Sequence, residues 1–346
     1  MAETDFLEID GNYLEGGGQI LRTATSLSII TGQPIRVFNI RAKRPEPGLK
    51  PQHLHTLDAL RELSRAKIEG LELGSKEIKF IPQEKIIASG LLNIDIGTAG
   101  SIGLLLQSIL LVAAFKSEGM SLYIKGGTCG LGAVPIDYYP NVILPILYYA
   151  GLRAKINILR RGYYPKGGGE ISAEISAIKY PKAIALTEAG NLRRISGISI
   201  ASRDLMPKEV AQRQAQEAQD LLKKDFDCPI EIKAQYVDTY STGSEINLYA
   251  FTDTNCILGA DARGELKKSA EEVAQEACAK LKKEISSGAA VDLHLADNLI
   301  PWLSMLGGKI KTSEIARHTQ TNIWVCEQFF GKIFKIKEDN IIEVKR

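Results

Sequence analysis

Cysteine is scarce in this chain: the five residues, at 129, 228, 256, 278 and 326, are scattered and form no C-x-x-C pair. That excludes a zinc knot or a disulfide framework and fits a reducing cytoplasm. Histidine is scarcer still, at four, and the H-E-x-x-H spacing of a helical zinc site is missing, because His53 and His55 stand two apart and diverge on a helix. No apolar run is long enough to cross a bilayer; the longest, Ile102 to Phe115, is interrupted by Gln107 and Ser108. The opening MAETDFLEID has neither the basic head nor the apolar centre of an export signal. The chain is therefore expected in the cytoplasm, without a membrane partner. Neither charge is in excess, since 43 Lys and Arg against 41 Asp and Glu leave a net +2. A polyanion would have to be met by local clusters. A Walker A loop and a Rossmann fingerprint are absent as well.

What is present is length and pattern. With 346 residues, 45% apolar and 31 of them glycine, the chain can bury a large core and is expected to form two domains of the α/β (α+β) class. Residues 4–9 alternate as a strand, and 19–30 carry a helical stripe (Ile20, Leu21, Ala24, Leu27, Ile30). Ile35 to Ile40 reads as a strand, Gln52 to Ala66 as a helix, and GLELG and EIKFIP as short strands, giving a βαβαββ unit over about 4–82. The order returns over 91–177 with LLNIDI, SIGLLLQSILLVAAF, MSLYIK, IDYYPNVILPILYYA, RAKINIL and EISAEIS. The tail from 291 to 346 supplies αβαββ: a helix over 296–306, the strand GKIKT, a helix over about 319–330 and two strands, with KAIALTE at 182–188 as the missing first strand. Three copies thus occupy 1–189 and 286–346. Residues 190–285 have their own strands and two striped helices and read as an inserted small α/β domain.

Repeated units place equivalent loops side by side, and sites form where such loops converge. In EIARHTQTNIW, His318 stands at the second helix of the third copy; Gln52 and His53 open that helix in the first copy, and Pro135 to Asp137 in the second. Helix starts present free N–H groups and partial positive charge, which suit a phosphate. LEGGGQILR sets Glu15, three glycines and Arg22 at a strand-to-helix turn, readable as a phosphate-approaching loop or as a tight turn with an ion pair. RAKRPEPGLKPQH packs Arg41, Lys43, Arg44 and Lys50 into a loop leading to a helix start, either a solvated charge run or a polyanion contact. RRGYYPKGGGEI combines tyrosines, cations and glycines as a nucleotide-facing surface would, or forms a β-connection with aromatic plugs. Gln107 within an apolar helix reads as a core amide or a ligand contact, and His294 and Asp297 in HLADNLIP as a helix start or a functional pair.

Taken together, RGYYPKGGGEI, EGGGQILR, KPQHL, HLADNLIP and RHTQTN resemble, in order and spacing along the whole chain, the RNA 3'-terminal phosphate cyclases. The resemblance implies three units like the C-terminal domain of translation initiation factor 3 with an inserted α/β domain. It also implies a ligase-type reaction in which ATP, with Mg2+ or Mn2+, adenylates a histidine. AMP then passes to an RNA 3'-phosphate, and the neighbouring 2'-hydroxyl closes a 2',3'-cyclic phosphate. By motif, the adenylated histidine falls on His318, the metal-binding glutamate on Glu15 and an essential arginine on Arg22. RNA-end residues fall on Arg41, Lys43, Arg44, Gln52 and His53, and nucleotide contacts on Gln107, Pro135, Asp137 and Asp297. His294 stands where bacterial members tend to have a tyrosine near adenine. The expected partner is RNA ending in a 3'-phosphate; the oligomeric state is left open. Two rivals are a catalytically silent relative acting in ribosomal RNA processing and an enolpyruvyl-transferase-type enzyme.

Overall fold

A computed structural model describes residues 5–83, 90–130 and 132–345; residue 4, where the first strand was expected to begin, lies outside them. The chain runs β1 (Leu7–Asp10), α1 (Gly18–Thr31), β2 (Ile35–Phe38), α2 (Pro51–Ser64), β3 (Lys67–Glu69), β4 (Ile78–Ile81). It continues with β5 (Leu91–Asp95), α3 (Ile102–Lys116), β6 (Met120–Gly126), α4 (Leu144–Tyr149), β7 (Arg153–Arg160), β8 (Gly169–Ser176) and β9 (Ile184–Leu186). Then come β10 (Leu192–Ser202), α5 (Val210–Lys223), β11 (Ile230–Val237), β12 (Ser244–Thr252), β13 (Ile257–Arg263) and α6 (Ala270–Ser286). The last elements are α7 (Leu293–Leu306), β14 (Gly308–Lys311), α8 (Arg317–Phe330), β15 (Phe334–Lys337) and β16 (Ile341–Val344).

Three four-stranded sheets share one strand order, β1-β2-β4-β3, β5-β6-β8-β7 and β9-β14-β16-β15. In each, the first two strands are parallel and the rest antiparallel. A fourth sheet, β11-β10-β12-β13, carries α5 and α6 and a separate apolar cluster that includes Ala218, Leu248, Ala274 and Leu281. The helices of the other three sheets pack on one another, with α1 touching α2, α3 and α8, and α7 touching α3 and α8. This explains why α1 and α3 are buried nearly all round, α3 almost wholly apolar and α1 with its polar side chains turned inward. Leu27 and Leu106 are fully buried there, and truncating either to alanine is expected to cost about 2–5 kcal/mol.

Local chemistry moves several expected boundaries. GLELG is not a strand: Gly70 and Gly74 take φ of 77° and 79°, and the strand lies just before it at Lys67–Glu69. The helix expected over 136–150 is π-helical over Tyr139–Ile143 and α-helical only over Leu144–Tyr149. Pro145 has no N–H to return to the carbonyl of Asn141, so the regular ladder cannot form there. The helix expected from 296 begins at Leu293, because the Asp292 side chain accepts the N–H groups of His294 and Leu295 at 2.9 Å each. Asp292, not His294 or Asp297, is the cap. The helix of His318 begins at Arg317, which puts the histidine inside the first turn. Among the described residues no helix is long and apolar enough to cross a membrane.

Candidate active site

The strand-to-helix turn after β1 is bent by Leu14 and Gly16, at φ of 48° and 55°. Lys43 fixes it by donating to the carbonyls of Asn12 (3.1 Å) and Leu14 (3.4 Å). The Tyr13 ring lies on Trp324 of α8, centroids 4.2 Å apart and nearly parallel. This brings Glu15 Oε2 to 3.1 Å from His318 Nε2.

Gln19, in the first turn of α1, organises the other side of the imidazole. Its Nε2 donates to Asp297 Oδ1 (2.5 Å) and to the His318 carbonyl (3.0 Å), while its Oε1 faces His318 Nδ1. With both amide hydrogens given to oxygens, only the amide oxygen is left for the ring, so Nδ1 carries a hydrogen and donates it. In the neutral ring the lone pair is therefore on Nε2. Asp297 also accepts from Asn322 Nδ2 (2.8 Å), and Asn322 Oδ1 accepts from the Thr23 hydroxyl (2.7 Å). Burial pushes the Asp297 carboxyl up, opposed by His318, Gln19 and Arg22.

Arg22 is buried one turn further along α1, and burial pulls it down to about 10, still cationic at neutral pH. Its Nε donates to Gln107 Oε1 at 3.4 Å, and Gln107 donates to Asn298 Oδ1 at 3.3 Å. Among the described residues no carboxylate forms an ion pair with Arg22. These groups line a cavity of about 380 Å³, whose walls include Gln19, Arg22, Gln107, His294, Asp297 and His318.

The other expected nucleotide residues stand behind the wall. Asp137 is buried and its carboxylate is held by Arg161, whose Nη2 donates to Oδ1 at 2.8 Å. Pro135 is buried, and the cavity wall at this point is Ala133 and Val134.

The basic loop lies against the start of α1. The Arg44 guanidinium is against Gly17, Arg41 Nη1 donates to the Gly48 carbonyl (3.3 Å), and Lys50 pairs with Glu46. Gln52 is half-buried in the first turn of α2, beside Gly100. His53 is buried, and its Nδ1 accepts the Lys50 N–H at 3.0 Å, which leaves the hydrogen on Nε2. That Nε2 has no hydrogen-bond partner among the described residues. Gly18 makes room for the ring, since a Cβ on it would fall 2.2 Å from Nε2 and displace His53. Burial, reinforced by Arg22, Arg41 and Lys50, holds His53 down to about 3, so it is neutral.

No group of three or more His, Cys, Asp or Glu side chains that could cage a metal occurs among the described residues. Glu15 is a single carboxylate beside the cavity, a donor set that suits a hard cation keeping its waters and substrate phosphate oxygens. Sequence reasoning missed Gln19 and Asn322. Their signal was available: polar amides inside otherwise apolar helical stripes.

The pattern for the RNA 3'-terminal phosphate cyclase family matches residues 13–336. The chain is similar to the RNA 3'-terminal phosphate cyclase of Pyrococcus furiosus, 46% identical over 95% of this chain and 94% of that one. It is similar to those of Methanococcoides burtonii, 44% identical over 97% and 98%, and of Methanopyrus kandleri, 40% identical over 96% and 95%.

Proposed function

Because this chain belongs to the RNA 3'-terminal phosphate cyclase family, we propose that it uses ATP to convert an RNA 3'-phosphate into a 2',3'-cyclic phosphate through AMP carried on His318. The observation that carries this reading is the bonding of Gln19, which leaves the His318 Nε2 lone pair free for attack. Nε2 bonds to the α-phosphorus of ATP while the bond to pyrophosphate breaks. An oxygen of the RNA 3'-phosphate next takes the AMP, restoring the imidazole. The 2'-hydroxyl then attacks that phosphate, losing its proton, and AMP leaves. The hydroxyl is already adjacent, so closure gains from proximity.

Glu15 serves twice in this reading. Its carboxylate faces Nε2 at 3.1 Å and orients the ring, and it is the group that would hold a Mg2+ or Mn2+ ion beside the nucleotide phosphates. The ion would neutralise the triphosphate and stabilise the departing pyrophosphate. Arg22 and Gln107 meet the nucleotide in the cavity, with Asp297 behind the imidazole to stabilise the positive charge that develops on attack. The RNA end lies across α1, where Arg41, Arg44 and the unpartnered Nε2–H of His53 flank a helix start that no side chain caps. The five free thiols fit a reducing cytoplasm.

The test is incubation with α-labelled ATP and a divalent cation, followed by denaturing electrophoresis. The expected result is label on the protein, acid-labile and alkali-stable, that is lost on adding RNA with a 3'-phosphate as cyclic ends form. An unlabelled protein that makes no cyclic ends would overturn the reading and favour a silent relative, and cyclic ends made without ATP would overturn it in favour of a nuclease.

A further inference from the structure

The fourth sheet and its helix α6 also supply part of the cavity, through Asp261 and Arg263 of β13 and Glu276 and Lys280 of α6. The sheet's place there is set by Asp292, which caps α7 and also accepts the Gly259 N–H (2.8 Å) and the Tyr138 hydroxyl (2.6 and 2.7 Å). Strand β13 is thereby fastened to the start of the helix that carries His294 and Asp297. Along β13, Leu258, Ala260 and Ala262 turn into the core of the fourth sheet. Side chains alternate on a strand, so Asp261 projects from the opposite face, the one on which a Cβ at Gly259 would meet Tyr138.

Two features make Asp261 unusual. Its carboxylate receives no hydrogen bond from any described residue, whereas Asp292 and Asp297 nearby are both multiply bonded. Burial pushes its carboxyl up, against the pull of His294 and Lys280, and Asp292 and Glu276 push the same way as burial. A carboxylate facing a cavity without a donor is complementary to a ligand that brings one. Its position says which part of a ligand. Asp297 lies beside His318, and His294 stands three residues earlier on the same face of α7, next to Asp261. A nucleotide whose α-phosphate is at His318 and Arg22 would run back along the first turn of α7 and present its base to β13.

On the reading of the cavity given above, we propose that Asp261 reads the base of the nucleoside triphosphate, so that the fourth sheet sets which purine is used. A carboxylate accepts from the exocyclic amine of adenine, and from both the N1–H and the exocyclic amine of guanine. An asparagine amide keeps an acceptor for the adenine amine and adds a donor for adenine N1, but opposes one of the two guanine donors.

The experiment measures the initial rate of label transfer to the whole protein from α-labelled ATP and from α-labelled GTP. It compares the unaltered chain, Asp261→Asn and Asp261→Ala. Asp261→Asn is expected to lower the GTP-to-ATP ratio about tenfold, the effect of one lost and opposed hydrogen bond. Asp261→Ala is expected to raise KM for both nucleotides with little change in kcat. A ratio unchanged in Asp261→Asn, or a kcat loss without a KM change in Asp261→Ala, would overturn the assignment while leaving the proposed reaction standing. Absence of label from either nucleotide in the unaltered chain would overturn both.

Discussion

His53 and His318 open corresponding helices of the first and third sheets, and their surroundings are opposite. His318 is half exposed, with an amide on Nδ1 and a carboxylate beside Nε2. His53 is buried, accepts a backbone N–H on Nδ1, has no partner on Nε2 among the described residues, and is surrounded by cations. In the proposed reaction, the same residue type near the start of corresponding helices thus serves as the nucleophile in one copy and as a fixed neutral donor in the other. The difference lies in which ring nitrogen the neighbours leave without a hydrogen. Fold repetition supplies positions; the partners of each position supply the chemistry.

The sharpest break of this comparison is replacement. His318→Asn and His318→Ala are each expected to abolish the covalent AMP label, read by denaturing electrophoresis, with the circular dichroism melt retained. Label on either variant would assign the nucleophile elsewhere. Next in size is the amide that sets the tautomer. Gln19→Leu keeps the volume but removes the acceptor for Nδ1–H, and is expected to slow single-turnover label formation by about 10²-fold. An unchanged rate would mean that the Nδ1 hydrogen bond does not matter.

The pH dependence of stability separates the histidines differently. His53 sits at about 3 in the folded chain against about 6.5 unfolded. Between these values the unfolded state binds the extra proton, so the contribution of His53 to stability is complete above about pH 6.5 and is lost as pH falls toward 3. Glu245, which burial pushes up to about 7, contributes the opposite slope, and it does so with or without His53. Urea unfolding at pH 7.5 and 5 should therefore show His53→Gln losing less stability on acidification than the unaltered chain, by about 2 kcal/mol. Equal losses would show that His53 titrates normally.

How much of this was legible in the sequence depends on the length scale of the interaction. Helices α1, α3 and α8 are plain because apolar spacing is local, and β11 to β13 fall where alternation puts them, within a few residues. The Asp292 cap and the π-helical turn at Tyr139 were missed, although Asp292 and Pro145 are visible, because periodicity does not count hydrogen-bond donors. His318, Arg22, Gln107 and Asp297 were singled out by motif and meet in one cavity. Gln19 was passed over because its partners are 278 and 299 residues away. Asp137 shows the reverse: a prominent residue whose nearest partner, Arg161, comes from a strand end that no spacing rule connects to it.

The smallest effect tests the cationic side, where the comparison predicts a division of labour among three neighbouring basic residues. Arg44 lies exposed against Gly17 with no carboxylate ion pair among the described residues, and Arg41 gives one N–H to Gly48. Both keep donors for a terminal phosphate. Lys43 instead directs its ammonium at two carbonyls of the turn that carries Glu15. Binding of a single strand releases counterions in proportion to the phosphates neutralised, with a slope of about 0.7 per contact in log K against log salt. Arg41→Ala and Arg44→Ala should each flatten that slope by roughly this amount, which is about 2.6-fold in affinity between 50 and 200 mM salt. Lys43→Ala should leave the slope unchanged and slow label formation, because the turn holding Glu15 loses its fastening. Fluorescence anisotropy of a labelled 3'-phosphate strand across that salt range reads the slopes. Equal flattening by all three variants would make the loop an undivided basic patch, and no flattening by any would take the RNA end away from α1 altogether.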